Sequence, residues 1–304
     1  MRSKRLINRN KNRPRNNAIS KNRKDNAYLI TLDSFTSQDL ENWSKRSKDL
    51  DQYAAELFYG FESQRAAIYG ELCSAIKEAS KRNIELKNWG RIVSYKYSNY
   101  PLSAAGSLKL IGGRFNFGAD INPNHFQGFP ALYIASDHST AFLEKFKTNN
   151  LDEAENHSLG GSKSYSWVEL TGRLNNLFDL TDKSSLKLFC KLIKDFHMPE
   201  SVTRLAKQLK ITPPLVISTV AKLRDSLLEE NWAQSPTVGE VPSNSQVFGK
   251  LVRDSGAEGI LYPSVRGKGI CIALFTENLI DGSYLELTGE MPAATTVRSI
   301  GIKV

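Results

Sequence analysis

Three stretches of the chain hold the residue types that could do chemistry. The first pairs Arg91, in Trp89-Gly90-Arg91-Ile92-Val93, with Arg114, in Ile111-Gly112-Gly113-Arg114-Phe115-Asn116. Adjacent glycines allow a positive φ or a close backbone approach to a ligand, and arginines beside such a loop suit a two-pronged grip on phosphate oxygens. The second runs from Leu132 to Glu144. Tyr133 closes an apolar strand, Ser136 is the expected N-cap, and Asp137 favours the first turn of a helix that carries Glu144. Thr140 and Ala141 share its side of that helix and leave space around a carboxylate. The third, Ala257 to Gly267, is a strand ending in Pro263-Ser264. Each stretch alone also reads as plain structure: a glycine turn with solvated or ion-paired arginines, a solvated glutamate, an ordinary turn.

Other chemistries lack their residues. There is no C-x-x-C or H-E-x-x-H, and His125, His138, His157, His197, Cys73, Cys190 and Cys271 form no ligand spacing, so no metal is expected. A nucleophile elbow, G-x-S-x-G, is missing, as is a phosphate-binding P-loop.

The elements that must position these residues follow from composition and pattern. A chain of 304 residues, 40% hydrophobic and 24% charged, can bury a core. Its longest apolar run, Ile270 to Phe275, is far short of the roughly 20 residues of a membrane span. No apolar stretch follows the basic N-terminus and the cysteines show no pairing pattern, so the expected location is the cytoplasm. The net charge of +9 resides in residues 1–25, where ten Lys or Arg face Asp25 alone, and the rest of the chain is neutral. This Asn-rich tail is expected to be disordered, and nucleic acid is one partner it could hold through its charge.

Residues 26–87 read as a helical N-terminal region. Leu40, Trp43, Leu50, Tyr53, Ala54 and Leu57, then Phe61, Ile68, Leu72, Ala75 and Ala79 after Gly60, predict two amphipathic helices in a hairpin packed on the main domain. Short apolar runs at 91–95, 131–135, 166–170, 259–262 and 270–275 then predict strands, giving an α+β plan. Residues 186–230 form an expected helical insertion. Within it, residues 202–211 and 216–223 weakly resemble a winged-helix DNA reader, with Thr212-Pro213-Pro214 as a turn able to start the second helix. Packing on the core is the favoured reading. Residues 291–304 form a C-terminal extension.

Taken together, the order of these motifs resembles the RES-domain family, named for its Arg, Glu and Ser. The resemblance rests on Arg91, Gly112-Gly113-Arg114-Phe115-Asn116, Leu132-Tyr133-Ile134-Ala135 with Glu144, Ser245-Gln246 before Gly256-Ala257-Glu258-Gly259, and Tyr262-Pro263-Ser264-Val265-Arg266. It implies an ADP-ribosyltransferase-like fold, a mixed or antiparallel sheet core with helices, over residues 88–290. It also implies NAD as substrate, with no prosthetic group, and a toxin whose partner is an antitoxin carrying a helix–turn–helix. By the same resemblance Glu144, Ser264 and Arg91 are catalytic, while Arg91, Arg114, Tyr133, Gly112, Gly113, Asn116 and Ser264 bind NAD. Arg91 and Arg114 take the diphosphate, Tyr133 the nicotinamide, and Ser264 orients the ribose or the nucleophile. Phosphate or water is the first choice of acceptor. Transfer of ADP-ribose to a protein, and a non-enzymatic nucleic-acid-binding role through residues 1–25 and 201–224, are the alternatives. The insertion, the helical prefix and the tail depart from a compact family member.

Overall fold

The computed structural model describes residues 36–148, 165–238 and 240–303, so the basic tail lies outside the described residues. Two compact units are present, one ending at Leu50 and the other beginning at Asp51. In the first, described from Thr36, helix α1 (Ser37–Ala67) begins. Thr36 and Asp39 cap it reciprocally, the Thr36 N–H donating to Asp39 Oδ2 and the Asp39 N–H to Thr36 Oγ1. Leu40 and Trp43 on this part are exposed.

In the second unit α1 continues through Gly60, where a break was expected. A Cβ at Gly60 would lie 2.3 Å from the Pro199 ring, so this glycine serves close packing and does not end the helix. The break falls at Ile68, and α2 (Tyr69–Ala79) follows. Four further helices matter for the site: α3 (His138–Phe146), then α4 (Lys187–Ile193), α5 (Glu200–Leu209) and α6 (Val220–Leu227). They are followed by α7 (Gln234–Val238) and α8 (Asn244–Asp254). The expected hairpin is absent, because α2 buries Leu72, Ala75 and Ile76 and packs against α4 and α8. The insertion is helical, but its last helix starts at Val220 under a Thr219 cap and not at the Pro213-Pro214 turn, since Thr219 Oγ1 accepts from the Lys222 N–H.

All five predicted strands are present, two of them extended well beyond their apolar runs: β1 (Arg82–Ser94) and β5 (Tyr165–Asp179). The stretch 82–87, expected to be helical, therefore belongs to a strand. β2 (Gly112–Gly113) and β3 (Asn116–Phe117) form a small hairpin of their own. In the main sheet β4 (Leu132–Ala135), β6 (Gly259–Pro263) and β7 (Ile270–Leu274) join β8 (Tyr284–Thr288) and β9 (Ser299–Gly301) in the order β1-β4-β7-β6-β5-β8-β9. The 291–304 extension thus supplies an edge strand. All pairings are antiparallel except β5 with β6. Because β1 also pairs along β5, the five strands β1-β4-β7-β6-β5 close on themselves.

Alternation along the strands separates two cores. Trp89, Leu132, Ile134, Leu170, Leu174, Leu261, Ile272 and Leu274 pack on one another from the strands, with Leu102 added from the loop after β1. Ala135, Ile260, Tyr262, Cys271 and Ala273 face the other way, onto helix residues such as Leu72, Ile76, Phe189, Leu223 and Phe248. Helix α3 lies on this second side. Its N-cap is Asp137, one residue later than expected, because the Ser136 hydroxyl is engaged elsewhere: its oxygen accepts from the Ile270 N–H (3.0 Å) while its proton goes to Asp137.

Partial burial pushes the Asp137 carboxyl up, but bonds from the Thr140 N–H, the Thr140 hydroxyl and the Ser136 hydroxyl outweigh it and hold the group below its ordinary range. Such a group adds stability above its unfolded value, about pH 4, and loses it as pH falls through the lower folded value. Asp137→Ala should cost about 1 kcal/mol in urea unfolding at pH 7. Asp137→Asn, which keeps a cap, should lie closer to wild type than Asp137→Ala does at pH 7 and should show a flatter loss of stability between pH 5 and about pH 2 than wild type.

Candidate active site

Strand β4 leads through Asp137 into α3 and sets Glu144 two turns along that helix. Strand β6 ends at Pro263, and the turn into β7 closes with the Ser264 N–H donating to Gly269 O (3.0 Å). This turn is fastened to the start of α3, where the Gly269 N–H donates to Thr140 Oγ1 (3.1 Å). The Ser264 oxygen accepts from the N–H groups of Arg266 (3.1 Å) and Gly267 (2.8 Å), so its own proton is left for Glu144 Oε1, at 2.6 Å. The Val265 N–H also donates to Oε1 (3.3 Å). Among the described residues no donor reaches Oε2, which leaves one carboxylate oxygen for a ligand.

The Gly-Gly-Arg stretch approaches the same region as the β2–β3 hairpin, with Arg114 and Phe115 as its two turn residues. Gly112 holds φ +88°, a left-handed value suited to glycine. Gly113 touches Tyr133, whose hydroxyl would lie 2.5 Å from any Cβ there. Asn116 Oδ1 accepts from the Gly113 N–H (3.0 Å) and the Tyr133 hydroxyl (2.9 Å), while its amide nitrogen donates to Ser107 O and Phe129 O (both 2.9 Å). The Phe115 N–H donates to the Tyr133 oxygen (2.9 Å). Asn116 is fully buried, so it and the glycines, expected at the ligand, shape the hairpin that carries Arg114.

Arg114 is 6% exposed. Its Nη1 donates to Glu229 O (2.7 Å) and Leu227 O (3.3 Å) at the end of α6, and Trp232 lies 5.9 Å from the guanidinium. Burial pushes Arg114 below its ordinary value, opposed by the charge of Glu144. The same burial raises the Tyr133 and Tyr262 phenols and the Cys271 thiol, with Glu144 adding to each rise. These groups stay protonated near neutral pH. Glu144, half-buried and bonded to Ser264, is therefore near enough to the buried Arg114, Tyr133 and Tyr262 for its charge to act on all three.

Arg91 does not join them. It pairs across from Val168, and alternation puts it on the side of Trp89 and Leu170. Glu144 acts on Tyr133, Tyr262 and Cys271, which face the other way. The Arg91 Nη1 donates to the carbonyls of Pro101 (3.4 Å) and Ser103 (3.3 Å), and burial lowers its guanidinium to about 10.

Two residues acquire roles that the motifs did not suggest. The Gln246 amide nitrogen donates to Ile111 O (2.8 Å), Asn116 O (3.0 Å) and Gly113 O (3.1 Å), fastening the hairpin to the start of α8. The local signal was Ser243-Asn244-Ser245-Gln246, a capping-box sequence, and Ser243 and Gln246 do cap α8 reciprocally. Arg266 Nη1 donates to Lys147 O and to Glu230 Oε1 (both 2.9 Å).

Residues 88–289 match the family model described as the RES domain. No curated protein matches the chain. Among solved structures, the crystal structure of the M. tuberculosis MbcT–MbcA toxin–antitoxin complex is similar at 15% identity, covering 72% of this chain and 90% of that chain with a TM-score of 0.43. Among the described residues no helix is long and apolar enough to cross a membrane.

Gln246→Leu keeps the bulk but leaves three carbonyls without their donor. It should cost about 2–3 kcal/mol in urea unfolding, against about 1 kcal/mol for Ser243→Ala, which removes the cap and the contact with the Ser245 hydroxyl. Equal losses in the two variants would mean that Gln246 acts through the cap alone.

Proposed function

The chain belongs to the RES-domain family, and from that premise we propose that it consumes NAD by breaking the nicotinamide–ribose bond, as the toxin of a toxin–antitoxin pair. The observation that carries this reading is Glu144: one oxygen is tied down by the Ser264 hydroxyl and the other is open, in a region that also holds a buried arginine.

The chemistry asks for little else. When the bond between C1′ and the nicotinamide nitrogen breaks, its electron pair leaves with the ring, which turns from a pyridinium into a neutral base. No proton donor is needed, and none of the residues brought together at the site is a histidine. What remains is an oxocarbenium-like sugar, by analogy with glycoside cleavage. A fixed carboxylate stabilises that positive charge most effectively where water is excluded and no reorientation is required. Glu144 is that carboxylate. The Ser264 proton orients it, and its free Oε2 faces the ribose. A phosphate or water oxygen then bonds to C1′, water losing its proton in the step.

Arg114 holds the diphosphate. Its Nη1 is committed to two carbonyls, which steers the rest of the guanidinium toward phosphate oxygens. Tyr133 offers the aromatic surface for the nicotinamide, its hydroxyl fixed by Phe115 and Asn116. Arg91, on the other side of the sheet, holds the Pro101–Ser103 segment and takes no part. A cognate antitoxin is the partner that family membership supports.

Purified protein incubated with NAD, with and without phosphate, should release nicotinamide, with ADP-ribose or its phosphate as the second product by chromatography. Glu144→Gln, whose amide oxygen can still accept from Ser264, should slow release by about 100- to 1,000-fold while the protein still folds cooperatively. Undiminished release would remove Glu144 from the mechanism. Radiolabel from NAD appearing on protein would instead make the acceptor a protein.

A further inference from the structure

Arg114 needs a second cation if it is to hold a diphosphate, and Arg91 lies on the wrong side of the sheet to supply it. Resting on the NAD reading above, we propose that Arg266 is the second diphosphate-binding residue, and that Glu230 holds its guanidinium until the substrate displaces it.

Four observations converge on Arg266. It sits in the same turn as Ser264, and its N–H donates to the hydroxyl that orients Glu144 (3.1 Å). Its side chain is only 14% exposed, unusual for an arginine in a turn. Both guanidiniums grip one short stretch of chain: Arg114 binds Leu227 O and Glu229 O, and Arg266 binds the neighbouring Glu230 carboxylate. Finally, the two are close enough for the charge of Arg266 to depress Arg114, after the larger effect of burial. Two like charges held together out of water repel, and a doubly charged anion between them relieves both.

The pairing also suits exchange. Glu230 is 49% exposed, so its ion pair with Arg266 is screened and weak. Both arginines make their observed hydrogen bonds through Nη1, and among the described residues no acceptor is engaged by Nε or Nη2 of either. Those edges can each take two phosphate oxygens. The substrate class that fits is a dinucleotide with a diphosphate bridge, in preference to a mononucleotide. The helical insertion, through residues 227–230, sets both side chains.

The test uses inorganic pyrophosphate, titrated calorimetrically into the full-length protein at physiological salt, alongside NAD kinetics. The basic tail is common to all variants and cancels from the comparison. Losing hydrogen bonds to a charged group corresponds to about tenfold or more in affinity. Arg266→Gln should therefore weaken pyrophosphate about tenfold and raise the KM for NAD similarly, with kcat changing about threefold at most. Glu230→Gln frees Arg266 and should tighten pyrophosphate about threefold, which decides the matter even if Arg266→Gln fails to fold. Pyrophosphate affinity within twofold of wild type in Arg266→Gln, or in Glu230→Gln, overturns the proposal. Pyrophosphate binding that depends on Arg266 in a protein releasing no nicotinamide would uphold the arginine pair and overturn the NAD reading instead.

Discussion

One hydrogen bond, from the Ser264 hydroxyl to Glu144 Oε1 at 2.6 Å, ties the functional part of the molecule together. Its direction is not free. The serine oxygen already accepts two backbone N–H groups of its own turn, so the single proton it carries must go to the carboxylate. A bond of this kind to a charged group is worth about 1.5–3 kcal/mol. Here it also sets an orientation, joining helix α3 to the β6–β7 turn across 120 residues of chain. The neighbouring contacts of Thr140 with Gly269 and of Ser136 with Ile270 keep turn and helix in one register.

The second constraint is the cost of burying arginine. Arg114 is almost wholly out of water, and an isolated buried charge is expensive unless it is paired or hydrogen-bonded. The chain answers with dipoles, the carbonyls at the end of α6, and with the more distant charge of Glu144. Helix ends have unsatisfied carbonyls and favour cations nearby, so the same contact serves both partners. That ties the 186–230 insertion, outwardly an addition to the domain, to the side chains that matter most.

Much was legible in advance because it is local. The strands at 132–135, 259–263 and 270–274 follow from apolar runs bounded by turn residues, and Glu144 falls on a helix because Asp137 can cap it. The misreadings were local rules overruled by packing. Gly60 looked like a helix stop, yet a helix tolerates a glycine when its neighbour, Pro199, fills the space. Ser136 is as good a cap as Asp137 until Ile270 engages it. Residues 82–87 hold only Ile84 and Leu86 between polar residues and so lack an apolar run, but β5 pairs with them and carries β1 onward.

The sequence by itself determined which residue types are available, the α+β plan, and the positions of the Gly-Gly-Arg, Glu and Pro-Ser motifs along the chain. Only the tertiary structure decided which of them meet. Arg91 and Arg114 are indistinguishable as motif arginines, but side chains on a strand alternate between faces, and the register of β1 against β5 turns Arg91 away. Arg266 drew no role from its motif, yet the turn around Ser264 and the end of α6 bring it beside Arg114. Register and the meeting of distant segments depend on the whole core at once, and no short stretch of sequence encodes them.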